Sequence, residues 1–222
     1  MCGIMGYASC DNNINKSKLR NQSDFLYHRG PDNSNIWESK NGKVGFAHQR
    51  LSIIDLSSGG NQPMTDVSSR YTITFNGEIY NYQELAKKLS GNYKFKSSSD
   101  TEVILAAYSK WGADCVLYLD GMFAFAIYDS VKNLIFMSRD RAGEKPLYYR
   151  HSNKVLSFAS ELKVFLNDDE IDSEINKESL DCYLSMGYVP KDRCIIEGFN
   201  KLPAAHSILF LSLIHILRCR RI

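Results

Sequence analysis

Cys2 is the first residue of this chain with chemistry to offer. If Met1 is removed, a thiol and a free α-amine stand on one residue. An α-amine ordinarily titrates at about 7.7–8.0, so part of it is neutral and basic near pH 7. The thiol starts from about 8.5. One residue can then be nucleophile and general base together, the logic of N-terminal nucleophiles. A cysteine at position 2 also arises by chance, and it gains meaning only beside an oxyanion hole and a substrate clamp. Asn76-Gly77 follows a strand and reads as a turn, where a side-chain amide and a backbone N–H can present two donors to one oxygen. Arg50 ends an apolar run, and its planar fork matches a carboxylate. Glu78 and Asp100 can hold an ammonium group. Taken singly, these read as a hairpin turn, a surface ion pair, a solvated carboxylate and a helix cap.

Taken together, they form a nucleophile, two oxyanion donors, a carboxylate clamp and an amine clamp. That set suits an α-amino acid with a reactive side-chain carbonyl, such as glutamine. The elements that must position it follow from periodicity. Strands are expected at residues 4–8, 44–48, 71–75, 122–128, 134–138, 148–150 and 155–159, where β-branched and aromatic residues alternate or cluster. Helices are expected at 17–28, 82–89, 100–111, 160–166 and 177–186, with Ser99 or Asp100 capping the third. Hairpins across 129–133 and 151–153 imply antiparallel sheet with helices on its faces, an α+β pattern. The acidic stretch at 167–170 suggests a domain boundary just beyond it.

Composition narrows the class. Hydrophobic residues make up 44% and charged residues 23% of the 222 positions, which excludes a disordered, collagen-like or coiled-coil chain. Lys plus Arg is 27 against 25 acidic residues, a net charge of +2. That balance gives no electrostatic argument for nucleic acid. Residues 1–7 carry no basic, apolar leader pattern. The most apolar run, residues 202–217, is interrupted by His206 and His215 and falls short of the roughly 20 residues a membrane helix needs. A cytoplasmic protein that binds neither nucleic acid nor membrane is expected. No C-x-x-C pair occurs among Cys2, Cys10, Cys115, Cys182, Cys194 and Cys219, so no zinc site is expected.

Seven motifs stand in order: MCGI at 1–4, HRGPD at 28–32, RLSIIDL at 50–56, NGEIYN at 76–81, SDTEV at 99–103, GMFAFAIYD at 121–129 and RDRAGEKPLYY at 139–149. In them the chain resembles the N-terminal class II glutamine amidotransferase domain of glutamine-hydrolysing asparagine synthetases, over about residues 1–210. The resemblance implies the N-terminal-nucleophile (Ntn) hydrolase fold, an αββα sandwich of two antiparallel sheets between helical layers. It implies that Cys2 attacks the glutamine side-chain carbonyl while its own amine shuttles the proton. Asn76 and the Gly77 N–H would hold the oxyanion. Arg50 would bind the α-carboxylate, with backbone groups around Ile53 and Ile54, and Glu78 and Asp100 would bind the α-amine. Neither a metal nor a cofactor is expected for that step. ATP and Mg²⁺ are expected only for a synthetase domain, which the full-length relatives carry in cis, and a homodimer is possible. His28, His48, His151 and His206 are expected to be structural, and Arg29, Arg139 and Lys145 to serve turns or a domain interface.

The resemblance divides the chain into an amidotransferase domain at 1–172, the opening of a synthetase domain at 173–210, and a non-native tail at 211–222. Within that tail, LSLIHI resembles a translated sequencing adapter. The only Ser-Gly-Gly, at 58–60, is followed by Asn61 and lies in the first domain. It is therefore not the pyrophosphate loop of a synthetase. Cutting near residue 172 is expected to improve solubility, because Leu180, Tyr183, Leu184, Ile208, Leu209, Phe210 and Leu213 would be partly exposed. Three functions compete: a glutaminase domain, a hydrolase or amidotransferase acting on another amide or acceptor, and a silent regulatory domain of the same fold. The double clamp favours the first over the second, and the intact Cys2 with Asn76-Gly77 favours it over the third.

Overall fold

In the computed structural model, all residues except 153, 167, 169, 170, 172, 191, 192, 212–215 and 222 are described. The elements run β1 (Gly3–Ser9), α1 (Lys16–Asp24), a 3-10 turn (Tyr27–Arg29), β2 (Asn33–Glu38), β3 (Val44–Arg50), β4 (Met64–Thr65) and β5 (Tyr71–Ile79). Next come α2 (Tyr82–Leu89), α3 (Asp100–Trp111), β6 (Gly121–Asp129), β7 (Leu134–Arg139), β8 (Tyr148–Ser152) and β9 (Val155–Ala159). The chain continues through α4 (Lys163–Leu166), α5 (Lys177–Met186), β10 (Asn200–Lys201), β11 (His206–Leu211) and β12 (Ile216–Arg221).

The strands form two six-stranded sheets, ordered β10-β8-β9-β1-β3-β2 and β12-β11-β7-β6-β5-β4. Each paired strand runs antiparallel to its neighbours. The period-2 alternation of each strand sorts its side chains between two layers. Ile4 and Ala8 of β1, Val44 and Phe46 of β3, and Ala124 and Ala126 of β6 fill the space between the sheets. Met5 and Tyr7 of β1 turn the other way and pack with Leu19 of α1 and Phe165 of α4. Ile73, Phe75, Phe123 and Phe125 meet Val103, Ile104 and Ala107 of α3. The result is four layers, helix, sheet, sheet, helix. Both faces of β6 are apolar because both are covered. Each fully buried ring such as Phe125 is worth about 1.5–3 kcal/mol relative to exposure.

Ser99 caps α3 by accepting from the Thr101 N–H, and Asp100 and Glu102 occupy its first turn. His48 crosses the space between the sheets, its Nε2 3.0 Å from the Phe75 carbonyl. Burial lowers its pKa to about 4, so it is neutral at pH 7 and donates that bond.

The structure corrects the sequence reading at several points. Asn76-Gly77 is not a turn: β5 runs on through both residues, pairing Asn76 with Ala124 and Gly77 with Phe123. A Cβ at Gly77 would fall on the Met122 carbonyl oxygen and lie 2.8 Å from Phe123 Cα. Glycine is needed there for the close approach of β6, and not for a bend. The helix expected over 17–28 stops at Asp24 and resumes as the 3-10 turn at Tyr27–Arg29. The polar strand β2 escapes the sequence pattern because it lies at a sheet edge.

Beyond residue 172, β10 pairs with β8 and β11 pairs with β7. Both sheets of the sandwich therefore continue past the expected boundary. Ile208 and Phe210 are buried between the sheets, 1% exposed each, contrary to the expected exposure. On α5, Tyr183 and Leu184 are exposed at 51% and 75% as expected. Of the expected tail, β12 pairs its backbone with β11. Leu213, and Asn167, Asp169 and Glu170 of the acidic stretch, lie outside the described residues.

Candidate active site

The two sheets open at one end into a pocket where β1 starts, β3 ends and β5 passes. Period-2 alternation delivers the side chains. Cys2 shares the parity of Ile4 and Ala8, Arg50 that of Phe46 and His48, and Asn76 that of Thr72 and Thr74. All three therefore face the inter-sheet space. The pairing of Gly3 with Gln49 sets Cys2 beside the end of β3. Cys2, Arg50, Ile53, Ile54, Asn76, Gly77, Glu78 and Asp100 all line this pocket. Every site residue expected from the sequence is thus brought to one place.

The Cys2 thiol is half-buried. Its Sγ lies 3.5 Å from the Leu51 carbonyl and 3.4 Å from the Leu51 N–H. Burial raises its pKa, while the Leu51 contact and the nearby positive N-terminus oppose that rise. The Cys2 carbonyl accepts from Arg29 Nε at 2.9 Å, and Arg29 Nη1 is held by Glu161 at 2.7 Å. Ser160 flanks the same turn of chain, its Oγ accepting from the Ile4 N–H at 3.1 Å. The backbone beside Cys2 is therefore fixed from β9's end as well as from β3.

Asn76 is 1% exposed, and its Nδ2 is a buried donor with no partner among the described residues. A buried, unsatisfied amide is costly, and an acceptor in the pocket would remove that cost. Arg50 is 7% exposed. Its Nη1 donates to the Ser57 carbonyl at 2.8 Å and to Asn61 Oδ1 at 2.7 Å, and its Nη2 donates to the Asp55 carbonyl. The 51–61 loop thus holds the guanidinium in one orientation. Asp55 anchors that loop by accepting from Ser57 and Ser98. Because Ser99 takes the capping role, the Asp100 carboxylate is free to face the pocket. Its Oδ2 accepts from the Ile79 N–H at 3.0 Å. Burial, partly offset by backbone donors, raises its pKa to about 6, and Glu78 adds like-charge repulsion. A cation beside these two acids would relieve that repulsion.

Sequence reasoning passed over Arg29, Asp55, Asn61 and Lys145 as parts of this site. Arg29, Asp55 and Lys145 stood inside the quoted motifs, but nothing in spacing tells a side chain that supports a site from one that makes a turn. Among the described residues, no group of three or more His, Cys, Asp or Glu side chains could hold a metal ion.

Two antiparallel sheets between helices, with a cysteine at the head of an interior strand, are the arrangement of the Ntn-hydrolase fold. The glutamine phosphoribosylpyrophosphate amidotransferase of B. subtilis shares the fold, with a TM-score of 0.70 at 15% identity over 99% of this chain and 49% of that one. The chain belongs to the glutamine amidotransferase domain family, which it matches over residues 1–213. Asparagine synthetase [glutamine-hydrolyzing] 3 of Bacillus subtilis is 37% identical over 95% of this chain and 35% of its own length. Asparagine synthetase [glutamine-hydrolyzing] 1 of the same organism is 39% identical over 91% of this chain and 32% of its own. The chain therefore spans about a third of the length of these relatives. No helix among the described residues is long and apolar enough to cross a membrane.

Proposed function

We propose that this domain hydrolyses L-glutamine to glutamate and ammonia, with Cys2 as nucleophile once Met1 has been removed. The unpartnered Asn76 amide facing the pocket beside the Cys2 thiol is the observation that carries this reading. In the proposed course, the thiol proton passes to the Cys2 α-amine as Sγ attacks the side-chain carbonyl carbon. The carbonyl oxygen, now negative, takes hydrogen bonds from Asn76 Nδ2 and the Gly77 N–H. Collapse breaks the C–N bond, the ammonium returns its proton to the leaving nitrogen, and ammonia departs. Water then cleaves the thioester, with the same amine as base, and releases glutamate. Arg50 holds the α-carboxylate with the Ile53–Ile54 backbone, and Glu78 and Asp100 hold the α-ammonium.

No cofactor enters these steps. In a longer protein of the kind the relatives represent, the ammonia would pass to a synthetase domain in cis that uses ATP and Mg²⁺ to amidate aspartate. A homodimer and a cytoplasmic location fit that role. The experiment is ammonia release from glutamine by purified chain, alongside Cys2→Ala. Release without ATP or Mg²⁺, abolished in Cys2→Ala and absent from any molecules that retain Met1, is expected. Turnover by Cys2→Ala would overturn the reading.

A further inference from the structure

Lys145 lies in the loop between β7 and β8 and lines the same pocket as Cys2, yet it is only 5% exposed. Its backbone is fixed: its N–H donates to Asp140 Oδ2 at 3.0 Å and its carbonyl accepts from Arg139 Nε at 2.7 Å. Its ammonium is not similarly provided for. The Nζ sits 3.1 Å from the Met1 thioether sulfur, and among the described residues it makes no ion pair with a carboxylate. A thioether is a weak acceptor, and a buried ammonium without a carboxylate is costly. A merely structural lysine would turn its head to water. This one keeps its charge on the side of Cys2 from which Met1 must depart.

We propose that Lys145 is a tuning residue for the nucleophile: once Met1 is gone, its ammonium faces the new α-amine of Cys2 and holds that amine in its neutral, basic form. The inference rests on the reading of Cys2 as an N-terminal nucleophile. A like charge facing the amine disfavours its protonation, and the same charge favours the thiolate. Both effects move the acidic limb of activity toward lower pH. The other charges near the Cys2 amine are Arg50 at the end of β3, Asp55 in the loop after it, Glu78 on β5, Asp100 at the start of α3, and Arg29 on the Cys2 carbonyl. Asp140 and the exposed Glu144 flank Lys145 in its own loop. The acids at the glutamine clamp pull the amine's pKa up, and Arg50 is already committed to loop carbonyls. Among the described residues Lys145 has no carboxylate partner, and its charge adds to that of Arg50 at Cys2.

The test is the pH dependence of glutamine hydrolysis, and in parallel of Cys2 alkylation by iodoacetamide, in Met1-processed wild type, Lys145→Met, Lys145→Gln and Lys145→Arg. Each variant is checked for folding by circular dichroism. The acidic midpoint should rise by about one pH unit in Lys145→Met and Lys145→Gln, as expected for loss of one charge at close range. It should return toward wild type in Lys145→Arg. An unchanged midpoint in either folded neutral variant overturns the proposal, whatever happens to the maximal rate. Absence of hydrolysis by the wild type would instead count against the glutaminase reading, and the alkylation profile would still report on Lys145.

Discussion

Asp100 carries two opposed demands. In the proposed amine clamp its carboxylate must be charged to hold an ammonium, and burial makes that charge unfavourable, with a folded pKa of about 6 against an ordinary 3.8. Between those values the native state holds more protons than the unfolded chain, so this group's contribution to stability falls as pH rises through that window. Asp100→Asn keeps an acceptor for the Ile79 N–H and removes the charge. Melting curves should show it at least as stable as wild type at pH 7.5, with the difference narrowing at pH 5. Its KM for glutamine should rise by about tenfold or more, the scale of a lost charge-assisted pair. A destabilised Asp100→Asn at pH 7.5 would contradict this account. Asn76 is the opposite case: in the proposed reaction its amide gains a partner only when an oxyanion forms. Asn76→Ala should therefore lower kcat by about 10²–10³-fold with little loss of stability. A change confined to KM would remove it from the oxyanion hole.

At the scale of elements, the site depends on how closely β5 and β6 run. At Gly77 the two strands run this close only because no Cβ separates them. Gly77→Ala must push Met122 or Phe123 aside, and overpacking of this kind costs about 1–3 kcal/mol. Denaturant unfolding should show that loss, and kcat should fall with it, since β5 also carries Asn76 and Glu78. An alanine variant with wild-type stability would mean that the β5–β6 spacing is not tight.

For the molecule as a whole, the end of the sandwich is the question. Cutting at residue 172 removes β10 and β11, which pair with β8 and β7 and bury Ile208 and Phe210 between the sheets. It would leave two open sheet edges and a hole in the core. The shortened chain should melt at lower temperature and aggregate more than a chain ending at 211. Equal melting temperatures would restore the earlier boundary. The exposed apolar side chains of α5, Leu184 at 75% and Tyr183 at 51% among them, can be removed only at that cost.

Sequence alone put forward the candidate residues that the pocket gathers. Cys2, Arg50, Asn76, Gly77, Glu78 and Asp100 could be named because their types are few, their roles are specific, and ordered motifs surround them. It also determined most strands and helices, since period and turn residues are local signals. Only the tertiary structure decided that Asn76-Gly77 lies inside a strand, because the demand for glycine comes from β6, more than forty residues away in sequence. It alone showed that Arg29 binds the Cys2 carbonyl and that Lys145 turns a buried charge toward Met1. It also carried the sandwich past residue 172. Each of these depends on which strands lie side by side. Sheet pairing joins distant segments through backbone hydrogen bonds that every residue type offers, so composition and spacing leave it open.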